Sequence, residues 1–164
     1  MGTTTIKAGI VGGAGYTGGE TVRLLLRHPN VELVFVQSRS QQGKLVASVH
    51  QDLTGETELK FSDRFDTSVD VIFLCLSHGE SKTFVDQNKF PETTRIIDLG
   101  NDFRLGATAG GRSFVYGLPE FQRDAIRKAR NIANPGCFAT TIQLGLLPLA
   151  KAGKLKTFHT TGTT

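Results

Sequence analysis

The segment NIANPGCFATT, residues 131–141, places Cys137 between a Pro-Gly pair and an apolar run that is typical of a helix. At a helix N-terminus, unpaired backbone N–H groups and the helix dipole stabilise both a thiolate and an oxyanion. Cys137 is therefore a candidate nucleophile, and we expect Gly136 to leave room for a substrate. A lone cysteine at a helix start is more often inert, so this interpretation needs a second chemical feature. The other cysteine, Cys75, lies in the apolar run VIFLCLS, which predicts a buried packing residue.

The second feature is the glycine-rich stretch GIVGGAGYTGGE near the start of the sequence. Its spacing fits both G-x-G-x-x-G and G-x-x-G-x-x-G, in which a strand turns tightly into a helix whose N-terminus meets a pyrophosphate. Turns of this kind also occur without a ligand, but this one follows a predicted strand and precedes a predicted helix. The predicted dinucleotide-binding residues are Gly12, Gly13, Ala14, Gly15, Tyr16, Thr17 and Gly18.

The end of the second predicted strand indicates which dinucleotide binds. An NAD site usually has Asp or Glu there to bind the ribose 2′-hydroxyl, whereas this sequence has Ser38, Arg39 and Ser40. An arginine and two hydroxyls suit a 2′-phosphate, so we predict NADP(H); the alternative is that Arg39 is a solvated loop residue. A thiol together with a nicotinamide indicates thioester and hydride chemistry. We predict no metal site.

Composition excludes several other classes of function. The 164 residues are 38% hydrophobic and 21% charged, which is typical of a soluble globular domain. The net charge of +4 comes from scattered Lys and Arg, which favours anionic small molecules over nucleic acid. No stretch is long and apolar enough to span a bilayer, and no secretory signal is evident. We therefore expect a cytoplasmic protein with no membrane or nucleic-acid partner.

Strand and helix patterns alternate along the sequence, which predicts an α/β fold: a Rossmann-type, doubly wound parallel sheet. Segment 41–66 has no clear pattern and could hold a short helix and a hairpin. The final segment, KTFHTTGTT, is predicted to be a strand. Strands are predicted at 6–11, 31–37, 69–77, 95–100 and 131–134, and helices at 16–27, 80–88, 121–129 and from 137 to a stop at Gly153.

Several motifs in the same order resemble those of one enzyme family. NPGCFAT followed by LGLLP, together with GGAGYTG, LSHGES, IDLGNDFRL and VYGLPE, is similar to the signatures of N-acetyl-gamma-glutamyl-phosphate reductases. These enzymes belong to the semialdehyde dehydrogenase family. Two departures, Gly100-Asn101 for a Ser-Ala type pair and Thr141 for a small residue, leave the chemistry intact but bear on substrate fit.

The resemblance implies NADPH-dependent reduction of N-acetyl-glutamyl 5-phosphate to the 5-semialdehyde and phosphate, in arginine biosynthesis. Cys137 would form the thioester, and Arg104 would hold the substrate phosphate; the alternative for Arg104 is an exposed ion pair with Asp102. Asn134 would contact the acyl site or cap the helix that begins at Cys137. Ser77 and His78 would lie beside the nicotinamide. The family's acid/base histidine follows a later glycine-rich motif, and no residue of this sequence matches it.

The resemblance also implies a domain arrangement. Residues 1–136 would form the NADP-binding domain, and 137–164 would begin a truncated α+β domain for substrate binding and dimerisation. The full-length protein would be a homo-oligomer, and the 164-residue chain alone would be inactive.

Two alternatives remain open from the sequence. One is reduction of a related acyl phosphate, such as N-succinyl-glutamyl, aspartyl or aminoadipyl phosphate. The other is an NADP-binding module without catalysis, which would explain the glycine motif and Arg39 but not the combination of Pro-Gly-Cys, Asp-Phe-Arg and Tyr-Gly-Leu-Pro-Glu.

Overall fold

The computed structural model describes residues 5–163, in which strands and helices alternate as predicted. A single 3₁₀ turn, Gln51–Leu53, follows the second helix. The elements in chain order are β1 Ile6–Val11, α1 Tyr16–Leu26, β2 Val31–Gln37, α2 Val46–Val49, β3 Phe61–Ser62, β4 Val71–Leu74, α3 Glu80–Gln87, β5 Arg95–Asp98, β6 Thr108–Ala109, β7 Arg112–Ser113, β8 Val115–Tyr116, α4 Pro119–Lys128, β9 Asn131–Ala133 and α5 Cys137–Lys151.

Seven of the strands form one sheet in the order β3-β2-β1-β4-β5-β9-β8. Every pair in this sheet is parallel, while β6 and β7 form a separate antiparallel hairpin. The chain winds outward from β1 in one direction and from β4 in the other, so the switch point lies between these two strands. The prediction of a Rossmann-type, doubly wound parallel sheet is confirmed.

Two apolar clusters cover opposite faces of the sheet, because alternate strand residues point to opposite sides. On one face, Ala8 and Ile10 of β1 pack with Val22 of α1. On the other face, Leu74 of β4 packs with Val85 of α3. These contacts place the N-termini of α1 and α3 at the same edge of the sheet, where β1 and β4 end.

The face of the sheet on which α1 packs is only half-buried over part of its area. Phe73, Ile97 and Ile132 are adjacent in register across β4, β5 and β9, and none of them is fully buried. They continue the face on which α1 covers β1 and β2. A broad apolar strip of the sheet thus remains accessible in residues 5–163.

Several local predictions differ from the structure. The stretch between 100 and 121, for which no strand was predicted, contains β6, β7 and β8. Strand β4 ends at Leu74 and not at 77, because residues 77–79 turn into α3. Segment 41–66 contains α2, the 3₁₀ turn and β3, with one isolated antiparallel bridge between Leu45 and Lys60 in place of a hairpin. Residues 155–163 contain no strand in the structure, because a strand needs a hydrogen-bonded neighbour and none is paired with this segment.

Candidate functional site

The turn from β1 into α1, here called the glycine loop (residues 12–18), is shaped by close backbone contacts. Gly12 has φ of +81°, and a Cβ there would lie 2.5 Å from the carbonyl oxygen of Cys75. The N–H groups of Gly12 and Gly13 both donate to the carbonyl oxygen of Gln37, at 3.1 and 2.9 Å. These two N–H groups are therefore used within the protein and are not free to bind a phosphate.

The free donors lie further along the glycine loop. Gly15 is the N-cap of α1, and a Cβ on Gly18 would come within 2.7 Å of Gly12 and Gly13, so helix and loop pack backbone to backbone. The N–H groups of Ala14, Tyr16, Thr17 and Gly18 have no partner among residues 5–163. No acidic residue occupies the first helical turn. This end of α1 can hold an anion.

A pocket of about 640 Å³ opens beside the glycine loop at the switch point of the sheet. It brings Gly12 together with Ser38, Arg39 and Ser40, as the sequence predicts for a nucleotide site. Arg39 is exposed, whereas Ser38 is buried with its Oγ 3.4 Å from that of Ser40. We call this cavity the switch-point pocket.

The rest of the lining of the switch-point pocket comes from residues that the sequence analysis did not identify. Gln37 ends β2, and its side-chain oxygen lies 3.4 Å from the Gly12 nitrogen. The other lining residues lie on α3 and in the turn before it. For those on α3, the i, i+3, i+4 spacing on a helix that starts at the carboxyl edge of the sheet is the sequence pattern that could have indicated them. These lining residues are Leu76, Gly79, Glu80, Thr83, Phe84 and Gln87.

Ser77 and His78, expected beside the nicotinamide, lie in the exposed turn between β4 and α3. The Ser77 N–H donates to the Glu80 carboxylate at 3.2 Å. Neither residue lines the switch-point pocket. In sequence they stand between Leu76 and Gly79, which do line the pocket. Their contact with a cofactor stays a prediction.

Cys137 is the first residue of α5 and is exposed. Gly136 is the N-cap, and its carbonyl accepts from Thr140 at 2.9 Å. The N–H groups of Cys137, Phe138 and Ala139 have no partner in the described part of the chain. Cys137 thus occupies the environment that the sequence predicts, with free donors and no acidic residue in the first turn.

Cys75 has the opposite environment. It is 7% exposed at the end of β4, and burial raises the pKa of its thiol to about 11. The nearby hydroxyl of Thr21, 3.6 Å from the sulfur, opposes that rise only in part. Cys75 is a packing residue, as predicted.

Arg104 contacts the turn that precedes Cys137, here called the cysteine turn (residues 134–136). Its Nε donates to the Asn134 carbonyl at 2.9 Å and its Nη2 to the Leu99 carbonyl at 3.0 Å. A Cβ on Gly136 would lie 2.8 Å from Nη1, so Gly136 makes room for the guanidinium. The sequence analysis expected Gly136 to make room for substrate. Nη1 makes no hydrogen bond in residues 5–163, which leaves a donor beside Cys137.

The alternative roles considered for Arg104 and Asn134 are not seen. Within residues 5–163, Arg104 forms no ion pair with Asp102; instead, Asp102 accepts backbone N–H groups of α3. Asn134 does not cap α5, because Gly136 is the N-cap. The Asn134 side chain is exposed and donates to the Pro135 carbonyl at 3.2 Å.

His50 is a residue of the site that sequence reasoning missed. Its Nε2 lies 2.8 Å from the Gly13 carbonyl oxygen, and its ring packs against Gly19, where a side chain would collide with it. Because a carbonyl only accepts, Nε2 must carry the hydrogen. His50 therefore stabilises the glycine loop through this hydrogen bond and through packing against the first turn of α1. No local pattern in the unassigned segment 41–66 could have indicated these contacts.

The two halves of the site lie at one edge of the sheet. The glycine loop follows β1 and Cys137 follows β9, and these strands are parallel members of the run β1-β4-β5-β9. Three inter-strand spacings, about 14 Å, separate their ends. Among residues 5–163, no group of His, Cys, Asp and Glu side chains is arranged to hold a metal ion. In the same range, no helix has the length and apolarity needed to cross a membrane.

The chain is similar in sequence to known proteins. Residues 7–129 match the family model described as the semialdehyde dehydrogenase NAD-binding domain. The N-acetyl-gamma-glutamyl-phosphate reductase of Christiangramia forsetii is 56% identical over 150 residues, which cover 92% of this chain and 46% of that protein. The reductase of the same name from Bacteroides thetaiotaomicron is 52% identical over 147 residues, 89% of this chain and 45% of that one. This chain thus spans about half the length of these curated relatives.

A solved structure supports the fold. Aspartate semialdehyde dehydrogenase from Candida albicans, determined with NADP, superposes with a TM-score of 0.63 at 16% identity, over 93% of this chain and 48% of that one. Together with the family match, it confirms the predicted dinucleotide-binding fold and the resemblance found in the motifs. The chain belongs to the semialdehyde dehydrogenase family, and residues 7–129 are its NAD-binding domain.

Proposed function

We propose that this chain is the cofactor-binding and thioester-forming half of an NADPH-dependent N-acetyl-gamma-glutamyl-phosphate reductase. The observation that carries the proposal is the exposed Cys137 at the start of α5, on the same sheet edge as the switch-point pocket. The relatives that share 51–56% identity over about nine-tenths of the chain carry this name.

The residues of the switch-point pocket suit NADPH better than NADH. Arg39 and the hydroxyls of Ser38 and Ser40 would hold a 2′-phosphate, and no carboxylate ends β2 to repel it. The free N–H groups of Ala14, Tyr16, Thr17 and Gly18 would hold the pyrophosphate. When bound, NADPH supplies the hydride that reduces the thioester to the aldehyde level.

The residues around Cys137 suit acyl transfer. The thiolate would add to the acyl carbon of the acyl phosphate and form a C–S bond. The tetrahedral intermediate would then collapse, breaking the C–O bond to phosphate and leaving the thioester. The free N–H groups of Cys137, Phe138 and Ala139 would stabilise the oxyanion of the tetrahedral intermediate. The free Nη1 of Arg104 would bind the leaving phosphate.

The acylation step can be tested on this chain, because it needs no hydride. We expect incubation with N-acetyl-glutamyl phosphate to release phosphate and to add one N-acetylglutamyl group to Cys137, as read by intact mass and peptide mapping. Cys137→Ser should abolish both signals, and Cys75→Ser, the matched control, should leave them unchanged. Acylation that survives Cys137→Ser, or that is faster with N-succinyl-glutamyl or aspartyl phosphate, would contradict the proposal.

A further inference from the structure

We propose that three consecutive residues, Asp102, Phe103 and Arg104, couple the switch-point pocket to the cysteine turn, with Asp102 as a positioning residue for the cofactor wall. We call these residues the Asp-Phe-Arg link. The inference rests on the proposed function, because it assigns the link a task in a site that binds NADPH and presents Cys137.

The first part of the link fixes helix α3. One carboxylate oxygen of Asp102 accepts the Gly79 N–H at 2.7 Å, and the other accepts the Lys82 N–H at 2.8 Å. Gly79 is the N-cap of α3 and has no side chain with which to cap it. Asp102 therefore supplies, from more than 20 residues away, the acceptor that a capping Asp or Ser would supply locally.

The helix that Asp102 caps is the far wall of the switch-point pocket. Glu80, Thr83, Phe84 and Gln87 of α3 all line the cavity, opposite the glycine loop and Arg39. The capped end is the end nearest the carboxyl edge of the sheet, where Gly79 itself lines the pocket. A shift of the N-terminus of α3 would therefore change the width of the pocket.

The middle of the link is anchored in the core. Phe103 is 1% exposed and stacks on Phe114, with ring centroids 3.8 Å apart and planes 5° from parallel. Because a buried aromatic ring in a packed core has little freedom to reorient, Phe103 keeps its two polar neighbours in a constant orientation relative to each other.

The last part of the link holds the cysteine turn. Arg104 donates to the carbonyl groups of Leu99 and Asn134, and its Nη1 lies against Gly136, directly before Cys137. Adjacent residues of one short, anchored segment thus position the wall of the cofactor pocket and the nucleophile. A change in α3 on cofactor binding would act on the cysteine turn through the hydrogen bonds of Asp102 at one end of the link and of Arg104 at the other.

The coupling can be measured with two variants of Asp102 and a control variant in α3. In the wild-type chain, we expect NADPH binding to change the rate at which iodoacetamide alkylates Cys137. Asp102→Ala should weaken NADPH binding by up to about 30-fold, the limit reached if the whole stability cost of losing a helix cap falls on the binding-competent position of α3, and should remove the effect of NADPH on alkylation. Asp102→Asn, which keeps one acceptor oxygen, should lie between the two.

Asp86 is the matched control, because it is an aspartate within α3 whose carboxylate also accepts a backbone N–H from another part of the chain. It accepts the Gly110 N–H at 2.7 Å and pairs with Lys82, and it does not line the switch-point pocket. Asp86→Ala should lower the melting temperature without changing NADPH affinity or its effect on Cys137. If Asp102→Ala matches Asp86→Ala in both NADPH affinity and the effect of NADPH on Cys137, the link has no coupling role. Should the alanine variant not fold, Asp102→Asn takes its place in this comparison. If the wild-type chain binds no NADPH, the proposed function and this inference fail together.

Discussion

At the scale of single residues, the two thiols differ in the environment that the fold gives them. Burial raises the pKa of Cys75 to about 11, against 9.0 for a free thiol, which lowers its thiolate fraction about a hundredfold. Cys137 is exposed and has free N–H donors around it. We expect limited alkylation near neutral pH, read by peptide mapping, to label Cys137 first. Preferential labelling of Cys75 would contradict the assignment of the nucleophile.

Arg39 is the residue on which the preference for NADPH depends. If it binds the 2′-phosphate, Arg39→Ala removes a charge-assisted hydrogen bond, typically about 1.5–3 kcal/mol, or about ten- to a hundredfold in affinity. NADH has no 2′-phosphate, so its binding should change much less. Fluorescence titration with both dinucleotides checks this, and Arg123→Ala on α4, an exposed arginine outside the pocket, is the control. Equal losses for NADPH and NADH would exclude the role given to Arg39.

His50 should affect the same binding indirectly. His50→Leu leaves the buried Gly13 carbonyl without its donor, at a cost of about 1–3 kcal/mol, and we expect both NADPH affinity and thermal stability to fall. His50→Gln can still donate an N–H and should recover part of the loss. His159→Leu, at an exposed position, should change neither. A glutamine variant no better than leucine would show that ring packing, and not the hydrogen bond, is what matters.

At the scale of elements, a buried carboxyl at the end of β5 makes the stability of the fold depend on pH. Asp98 is fully buried, and burial raises the pKa of its carboxyl, opposed by the hydroxyl of Ser81 and the N–H of Gly100. Because the pKa in the folded state lies above that in the unfolded state, stability is highest below the unfolded value. It falls as the pH rises through the folded value.

Asp98→Asn removes this dependence while keeping an acceptor for Gly100 and gaining a donor for Ser81. We therefore compare the melting temperature of the variant with that of wild type at two pH values. The variant should gain more over wild type at about pH 7 than at about pH 4, where the wild-type carboxyl is closer to protonated. Thermal unfolding at both pH values tests this. A difference that is the same at both pH values would show that folding does not shift the pKa of Asp98. A variant that gains on wild type at about pH 4 would show that folding lowers this pKa.

At the scale of the whole molecule, the switch-point pocket is formed within residues 5–163, while an apolar surface stays open. The side chains of Phe138, Leu144 and Leu149 on α5 are 53%, 42% and 46% exposed, and no residue of this helix is buried. On the sheet, Phe73, Ile97 and Ile132 are only half-buried. Because the chain spans about half the length of its relatives, we expect binding of the cofactor to be separable from turnover.

We therefore predict that the 164-residue chain binds NADPH but does not reduce N-acetyl-glutamyl phosphate at an enzymatic rate. Proton transfer to the oxygen of the thiohemiacetal needs a positioned acid, whose help is typically worth about 10²- to 10⁴-fold in rate. NADPH affinity and NADPH consumption, measured on one preparation, test both parts. Full activity would show that a residue of this chain, His78 or His159, supplies the acid.

The sequence by itself determined the elements with strong local signals. Alternation and apolar runs predicted β1, β2 and the central strands, and glycine spacing predicted the turn into α1, because these patterns depend on neighbours a few residues apart. The same local logic placed Cys137 at the start of α5 and Ser38, Arg39 and Ser40 at the end of β2. Since parallel strands end at one edge, their meeting with the glycine loop also followed from the order of elements.

Only the tertiary structure decided how these residues are held. His50 reaches Gly13 across 37 residues, Asp102 reaches Gly79 across 23, and Arg104 reaches Asn134 across 30. Each contact depends on the pairing of strands and the path of a loop, and a polar side chain has no periodic pattern that reveals a distant backbone partner. The short strands β3, β6, β7 and β8 were missed for the same reason, because two residues become a strand only when a neighbouring strand supplies their hydrogen bonds.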